Sequence, residues 1–205
     1  VLIGLALGVL FVRLELRTKE PLVDIALVRK PTLWPVFLTA GLFGVSVLGA
    51  QGPLATFVRT DPAEVGYGLG LDSAQASYII GAYVLSLLIG AASFAQLSAR
   101  LTPRLVLIGA ATLVSVGYLL LIPFHGGVIA VVACMVVAGL GSGALVAALP
   151  AAAAAAAPEG QTAMATGLTN TTKTIGGSFA SSAFALALAG GVAVAGAGEV
   201  TAGSL

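Results

Sequence analysis

The sequence predicts an all-α fold, a polytopic bundle of transmembrane helices, and three observations carry that expectation. Hydrophobic residues make up 59% of the 205-residue chain and charged residues only 8%, against roughly 25% charged residues in an ordinary soluble domain. The apolar residues fall into separate blocks of spanning length, each bounded by charge, proline or glycine; repeated membrane crossings produce that pattern and a single buried core does not. The blocks lack the strict alternation of a membrane strand, and in hydrocarbon a backbone satisfies its own hydrogen bonds only in a helix or a closed barrel. A formal net charge of +1 gives no support to a nucleic-acid partner.

Taken in order, residues 1–12 form an apolar run that stops at Arg13 and read as the end of a preceding transmembrane helix. No basic stretch precedes the run and no small-residue cleavage site follows it, so it is not a secretory signal, and the chain reads as a fragment. Residues 13–32 form a cytoplasmic linker in which Pro21 opens a short interfacial helix capped by Glu20. Residues 33–189 hold five transmembrane helices, at about 33–58, 74–99, 105–122, 128–149 and 162–189. Each is near the roughly 20 residues needed to cross about 30 Å at 1.5 Å per residue. The alanine run at 151–157, between Pro150 and Pro158, reads as low complexity, with a short helical extension as the alternative. Residues 190–205 read as an extracytoplasmic Gly/Ala-rich tail, with a final helix of the bundle expected beyond the chain.

Orientation follows from the basic residues, which are retained on the cytoplasmic side of short loops. Arg13, Arg17, Lys19, Arg29 and Lys30 lie in one loop, and Arg100 and Arg104 in the loop two crossings later. The segment between, with Arg59 against Asp61, Glu64 and Asp72, falls outside, as does the turn at His125. Seven of nine basic residues are then cytoplasmic, with Arg59 outside and Lys173 inside the fifth block.

Lys173 is the most informative residue, because a lysine at the bilayer centre costs roughly 2.5 to 3.5 kcal/mol on insertion scales unless it snorkels or meets a cavity. It lies eleven residues past Thr162, and Asn170, Thr174, Gly177 and Ser181 recur beside it at helical spacing as one small, polar face. Two readings stay open, a cavity-facing lysine and an anchor at the cytoplasmic interface. Gln51, two residues before Pro53, hydrogen-bonds either a substrate or a neighbouring helix. Tyr78 reads as part of the interfacial aromatic belt, while Tyr83 is free to stack on a flat ligand. Small residues at four-residue spacing, including Ser86 with Gly90 and Gly139 with Gly143, let helices approach closely in lipid. Gly139, Gly141, Gly143 and Pro150 make the fourth block the candidate for bending as well as packing. His125 reads as a solvated turn histidine, with proton sensing as the alternative, and Cys134 as a packing residue.

No uninterrupted span contains an acid, so no proton-carrying carboxylate is visible. A Ser/His/Asp set, a metal cluster and a phosphate-binding glycine loop are all missing from the sequence. No enzymatic activity, metal or cofactor is expected.

Three segments carry a family resemblance that spans nearly the whole chain. Glu20-Pro-Leu-Val-Asp-Ile-Ala-Leu-Val-Arg29 resembles the linker before the carboxy-terminal half of the fourteen-helix drug:proton antiporters of the major facilitator superfamily. Ala95-Gln-Leu-Ser-Ala-Arg-Leu-Thr-Pro-Arg104 is similar to the second copy of that superfamily's cytoplasmic loop motif. Arg100 and Arg104 are kept, whereas Ala99 stands in the place of the motif's aspartate and Ala95 and Thr102 in the places of its glycines. Gly160-Gln-Thr-Ala-Met-Ala-Thr-Gly-Leu-Thr-Asn170, followed by Thr-Thr-Lys-Thr-Ile-Gly-Gly177, resembles the penultimate span, with Asn170, Lys173 and the paired Gly176 and Gly177 at the family's positions. The resemblance implies a major facilitator carboxy-terminal half that rocks against the amino-terminal half of the same transporter in a bacterial cytoplasmic membrane. It further implies alternating access that exports drugs or other small amphiphilic compounds, driven by protons whose carboxylates sit in the amino-terminal half. The partners are then the lipid bilayer, a small-molecule substrate, protons and that other half. A narrow-substrate metabolite or lipid exporter, and a non-transporting membrane sensor or scaffold, are the alternatives.

Overall fold

The computed structural model describes residues 10, 13, 14, 27, 29–61, 63 and 68–202, with side chains described through residue 187. The expected helix end at 1–12 and the interfacial helix opening at Pro21 lie outside the described residues, apart from isolated positions. Every regular element among the described residues is helical. The first crossing comprises α1 (Trp34–Phe43), a π-helical turn (Gly44–Leu48) and α2 (Gln51–Arg59), followed by α3 (Ser73–Arg100), α4 (Pro103–Leu120), α5 (Val128–Ala156) and α6 (Thr162–Ala202).

Local chemistry sets the helix starts. Proline sits in the first turn of α1 (Pro35) and of α4 (Pro103), where its missing N–H costs nothing. Asp72 begins α3 with a reciprocal capping box: its carboxylate accepts from the Gln75 N–H at 2.7 Å, and the Asp72 N–H donates to the Gln75 side chain at 3.3 Å. The segment before it folds back on the end of α2, with the Gly70 N–H donating to the Thr60 carbonyl at 2.8 Å. Gly68 there has φ +111°, and a Cβ would collide with the Thr60 carbonyl, so glycine is required.

Three expectations change in detail. The block at 33–58 is not one regular helix: the Gly49 N–H reaches back five residues to the Gly44 carbonyl at 3.1 Å, and α2 restarts at Gln51. Pro53 explains the break, since its ring lacks an N–H and clashes with the carbonyl four residues back, that of Gly49. The alanine run is helical, and α5 continues through Pro150 to Ala156. The helix of the fifth block runs past residue 189 into the Gly/Ala-rich stretch, as α6 extends to Ala202. Its glycines cost about 1 kcal/mol each relative to alanine, and no proline interrupts the Ala/Val-rich sequence.

α5 is the centre of the bundle. Half of its most apolar stretch is buried, against 22% for α3 and for α4, which flank it. Val131, Met135, Ala138, Leu145 and Leu149 supply its core contacts, and Cys134 is buried beside them. At the end bearing Arg100 and Arg104, Leu27, Leu33, Phe37, Ala153 and Ala165 form a second cluster. The outer surface is aliphatic: Leu85, Leu88, Ile89, Leu105, Ile108 and Leu119 all stand exposed. In water that surface would aggregate, whereas lipid solvates it. Four crossings, Trp34–Arg59, α3, α4 and α5, are long and apolar enough to span a membrane. The first half of α6 carries Thr, Asn, Lys, Ser and Gly among its apolar residues.

Candidate transport pathway

Glycines decide where the helices meet. A Cβ at Gly139 or Gly143 would strike the Tyr83 and Leu87 carbonyls of α3, one at Gly90 the Leu140 carbonyl, and one at Gly141 the Ala110 carbonyl of α4. The α3–α5 and α4–α5 seams therefore bring backbones together in the manner of small-residue motifs in lipid. The α1–α6 seam uses the same device, with Gly44 against the Lys173 carbonyl, Gly176 against the Gly41 carbonyl and Gly177 against Leu48.

This seam fixes which way α6 turns its residues. Ala165, Thr169, Gly177 and Ala180 are buried. Further round the helix lie Asn170, Thr174, Ser178 and Ser181, all exposed, with open space above Gly167 on the same strip. The expected polar face is thus present without Gly177, which packs into the seam. The Thr174 hydroxyl is satisfied within the helix by the Asn170 carbonyl at 3.0 Å. The Asn170 carboxamide has no such recourse: it is exposed and makes no hydrogen bond among the described residues. Asn170 lies eight residues into α6, about 12 Å along the axis, and a carboxamide with two donors and two acceptor lone pairs is poorly placed in hydrocarbon at that depth.

Lys173 is neither free in lipid nor ion-paired among the described residues. Its Nζ sits 5.9 Å from the centroid of the buried Phe43 ring, a cation–π distance. It lies about 16 Å along the axis from the start of α6, with its amine over a ring of the α1–α6 seam. Beside that seam an apolar groove of about 730 Å³ runs between Trp34, Leu38 and Val45 on one side and Ile175 and Phe179 on the other, with Arg29 at one end.

The remaining candidates lie elsewhere. Gln51 and Tyr83 line a cavity of about 280 Å³ between α2, α3, α4 and α5, together with Leu54, Tyr118 and Met135. Gln51 is exposed at its rim, whereas Tyr83 is buried. The structure therefore divides the candidates into two groups, Gln51 with Tyr83 and Asn170 with Lys173 and Thr174. Arg100 closes α3 and Arg104 stands in the first turn of α4, both exposed across a two-residue turn. Pro150 lies inside α5, one residue past the buried Leu149. Tyr78 is 77% exposed, as the belt reading requires. His125 is exposed but held, with Nδ1 2.7 Å from the Ile122 carbonyl and its ring edge-on to Phe57 at 6.4 Å.

Two residues beside Tyr83, Tyr118 on the cavity wall and the buried Ser142 behind it, were not singled out by sequence. Tyr118 looks like a belt aromatic near a helix end, and Ser142 like one more small residue within Gly139-Leu-Gly-Ser-Gly143. Their hydroxyls lie beside that of Tyr83. Only the three-helix packing brings them together; no periodicity within one block marks them.

An aliphatic exterior, glycine-lined seams and one polar helix face define a multi-pass helical membrane protein. The family model of the Major Facilitator Superfamily matches residues 1–197, and the chain belongs to that superfamily of membrane transporters. The comparison with curated proteins gave no match.

Proposed function

We propose that the chain is the carboxy-terminal half of a fourteen-helix drug:proton antiporter, supplying one wall of a path through which small amphiphilic compounds leave a bacterial cell. The observation that carries this reading is the exposed Asn170 carboxamide, set three residues from Lys173 in the first third of α6, on a bundle whose largest exposed side chains are apolar. A polar strip at membrane depth needs water or a polar partner, and a pathway shared with an amino-terminal half supplies both. The positive-inside distribution puts Arg100 and Arg104 on the cytoplasmic side. Coupling carboxylates belong to the other half, since α1 to α5 contain no acid. The residues assigned to the path are Asn170, Lys173 and Thr174, with Gln51 and Tyr83 at a separate pocket. Glycines 139, 141 and 143, with Pro150, hold α5 as the element about which its neighbours pack and bend.

The test is transport. The complete transporter in proteoliposomes, given an imposed proton gradient, is expected to move a fluorescent cationic dye, with the movement collapsing on addition of an uncoupler. Folded protein that moves neither dyes nor a panel of neutral metabolites would remove the export reading and leave a sensor or scaffold.

A further inference from the structure

The groove of about 730 Å³ beside the α1–α6 seam is apolar along its length and basic at one end. Leu38, Leu42 and Val45 of α1 form one wall and Ile175 and Phe179 of α6 the other, all of them exposed. The seam itself is the floor, where Gly176 lies against the Gly41 carbonyl. The one hydroxyl along the walls, that of Thr172, donates to the Leu168 carbonyl at 2.8 Å, so no polar group between them lacks a partner. From Trp34 to Val45 the groove follows eleven residues of the first crossing. That is about 16 Å, close to half the thickness of a hydrocarbon core about 30 Å across.

Arg29 and Trp34 stand together at the basic end. Both are exposed, and neither the guanidinium nor the indole N–H has a hydrogen-bond or ionic partner among the described residues. No acid lines the groove among those residues. Arg29 is held at the mouth by its neighbours: Leu27 and Leu33 are buried in a cluster with Phe37, Ala153 and Ala165, and the Lys30 N–H closes a turn on the Leu27 carbonyl at 3.2 Å. The positive-inside distribution puts this loop at the cytoplasmic face, whose leaflet carries the anionic lipids.

We propose that the groove binds a glycerophospholipid of the cytoplasmic leaflet with an anionic headgroup. Its phosphate accepts from the Arg29 guanidinium, Trp34 sits at headgroup level, and an acyl chain lies between Leu42 and Phe179. A further helix is the other apolar occupant, and the seams of this protein argue against it. The α1–α6, α3–α5 and α4–α5 seams each bring glycine against backbone, whereas the two glycines of this groove are already committed to each other and large side chains form its walls. The site occupies a different side of α6 from the Asn170 strip and does not depend on the export reading.

Photolabelling tests the assignment. The complete transporter is placed in phosphatidylcholine vesicles containing a minor share of phosphatidylglycerol with a diazirine in its acyl chain, irradiated, and its peptides mapped. Label is expected on the peptides carrying Leu38 to Val45 and Ile175 to Phe179. Diazirine-bearing phosphatidylcholine at the same share should label them about fivefold less, the ratio that one arginine near an anionic headgroup supplies. Arg29→Gln should abolish that preference, while Lys30→Gln, which alters a neighbour that does not line the groove, should keep it. Val45→Trp fills the groove with Arg29 still in place and should reduce labelling by both lipids; it decides the matter should Arg29→Gln fail to fold. Equal labelling by the two lipids, or a preference that survives in folded Arg29→Gln, overturns the proposal. An equal fall in Lys30→Gln also overturns it, since the basic loop as a whole then attracts the lipid. Unlabelled groove peptides beside a labelled α3 flank would show that protein covers the groove, which overturns it as well.

Discussion

Two exposed surfaces of this molecule invite comparison, the flank of α3 and α4 and the outward strip of α6. Both are open in the structure, and they are chemically opposite. Leu85, Leu88, Ile89, Leu105 and Ile108 dominate the first, with Thr112 bonded back to the Ile108 carbonyl; Asn170, Thr174, Ser178 and Ser181 form the second. A soluble protein exposes polar residues on every side, and a membrane protein facing only lipid exposes them nowhere at depth. On the proposed reading, exposure here means two solvents, hydrocarbon on α3 and α4 and water or a polar partner on α6. The glycine seams make the contrast possible. Without side chains at Gly44 and Gly176, α6 lies close enough to α1 for the seam to decide its rotation, and the rotation decides which residues reach the strip.

The sharpest way to break the comparison is to place one charge on each surface. Leu88→Arg puts a guanidinium mid-helix on the aliphatic flank, where insertion scales charge roughly 2.5 to 3.5 kcal/mol. Folded yield in the membrane should fall severely. Ser178→Arg should leave yield close to wild type, and equal losses for the two in a fluorescence-detected gel-filtration assay would mean that the strip is lipid-facing too.

A smaller effect is expected from glycines on the same helix. Gly176→Leu drives a side chain into the Gly41 carbonyl, and overpacking of this kind costs about 1 to 3 kcal/mol. Gly167→Leu enters open space on the strip and should cost little. Thermal unfolding of the two variants in detergent should separate them, with only the Gly176 variant melting several degrees early. Matching melting temperatures would show that the seam yields and does not set the rotation of α6.

Much of this organisation was legible in the sequence because lipid imposes a simple code. Apolar blocks of spanning length mark α3, α4 and α5 to within a few residues, apart from α5's extension through Pro150 to Ala156. Lys173 with Asn170 marked the unusual helix. Less visible was whatever depends on how helices turn against one another. Gly177 shares its helical face with Asn170 and Thr174 by spacing alone, yet Leu48 claims it for the seam. Pro53 stood in plain view as a helix breaker, but the five-residue hydrogen bond from Gly49 to Gly44 lies where α1 packs against the glycines of α6. Tyr118 and Ser142 joined Tyr83 only through the meeting of three helices, which no periodicity within one block encodes. The length of α6 was underestimated because glycine and alanine read as a tail where the backbone simply continues.

The central claim, that the α6 strip faces water while the α3 flank faces lipid, is tested most directly by single cysteines. Cys134 is buried, so replacing it with serine leaves a background in which Asn170→Cys, Ser178→Cys and Leu88→Cys are each challenged with a membrane-impermeant maleimide in the complete transporter. The strip positions should react, more readily in one conformational state than in another, while the Leu88→Cys variant stays inert. Unreactive strip positions in every state, with folded protein and a reactive loop control, would contradict the claim.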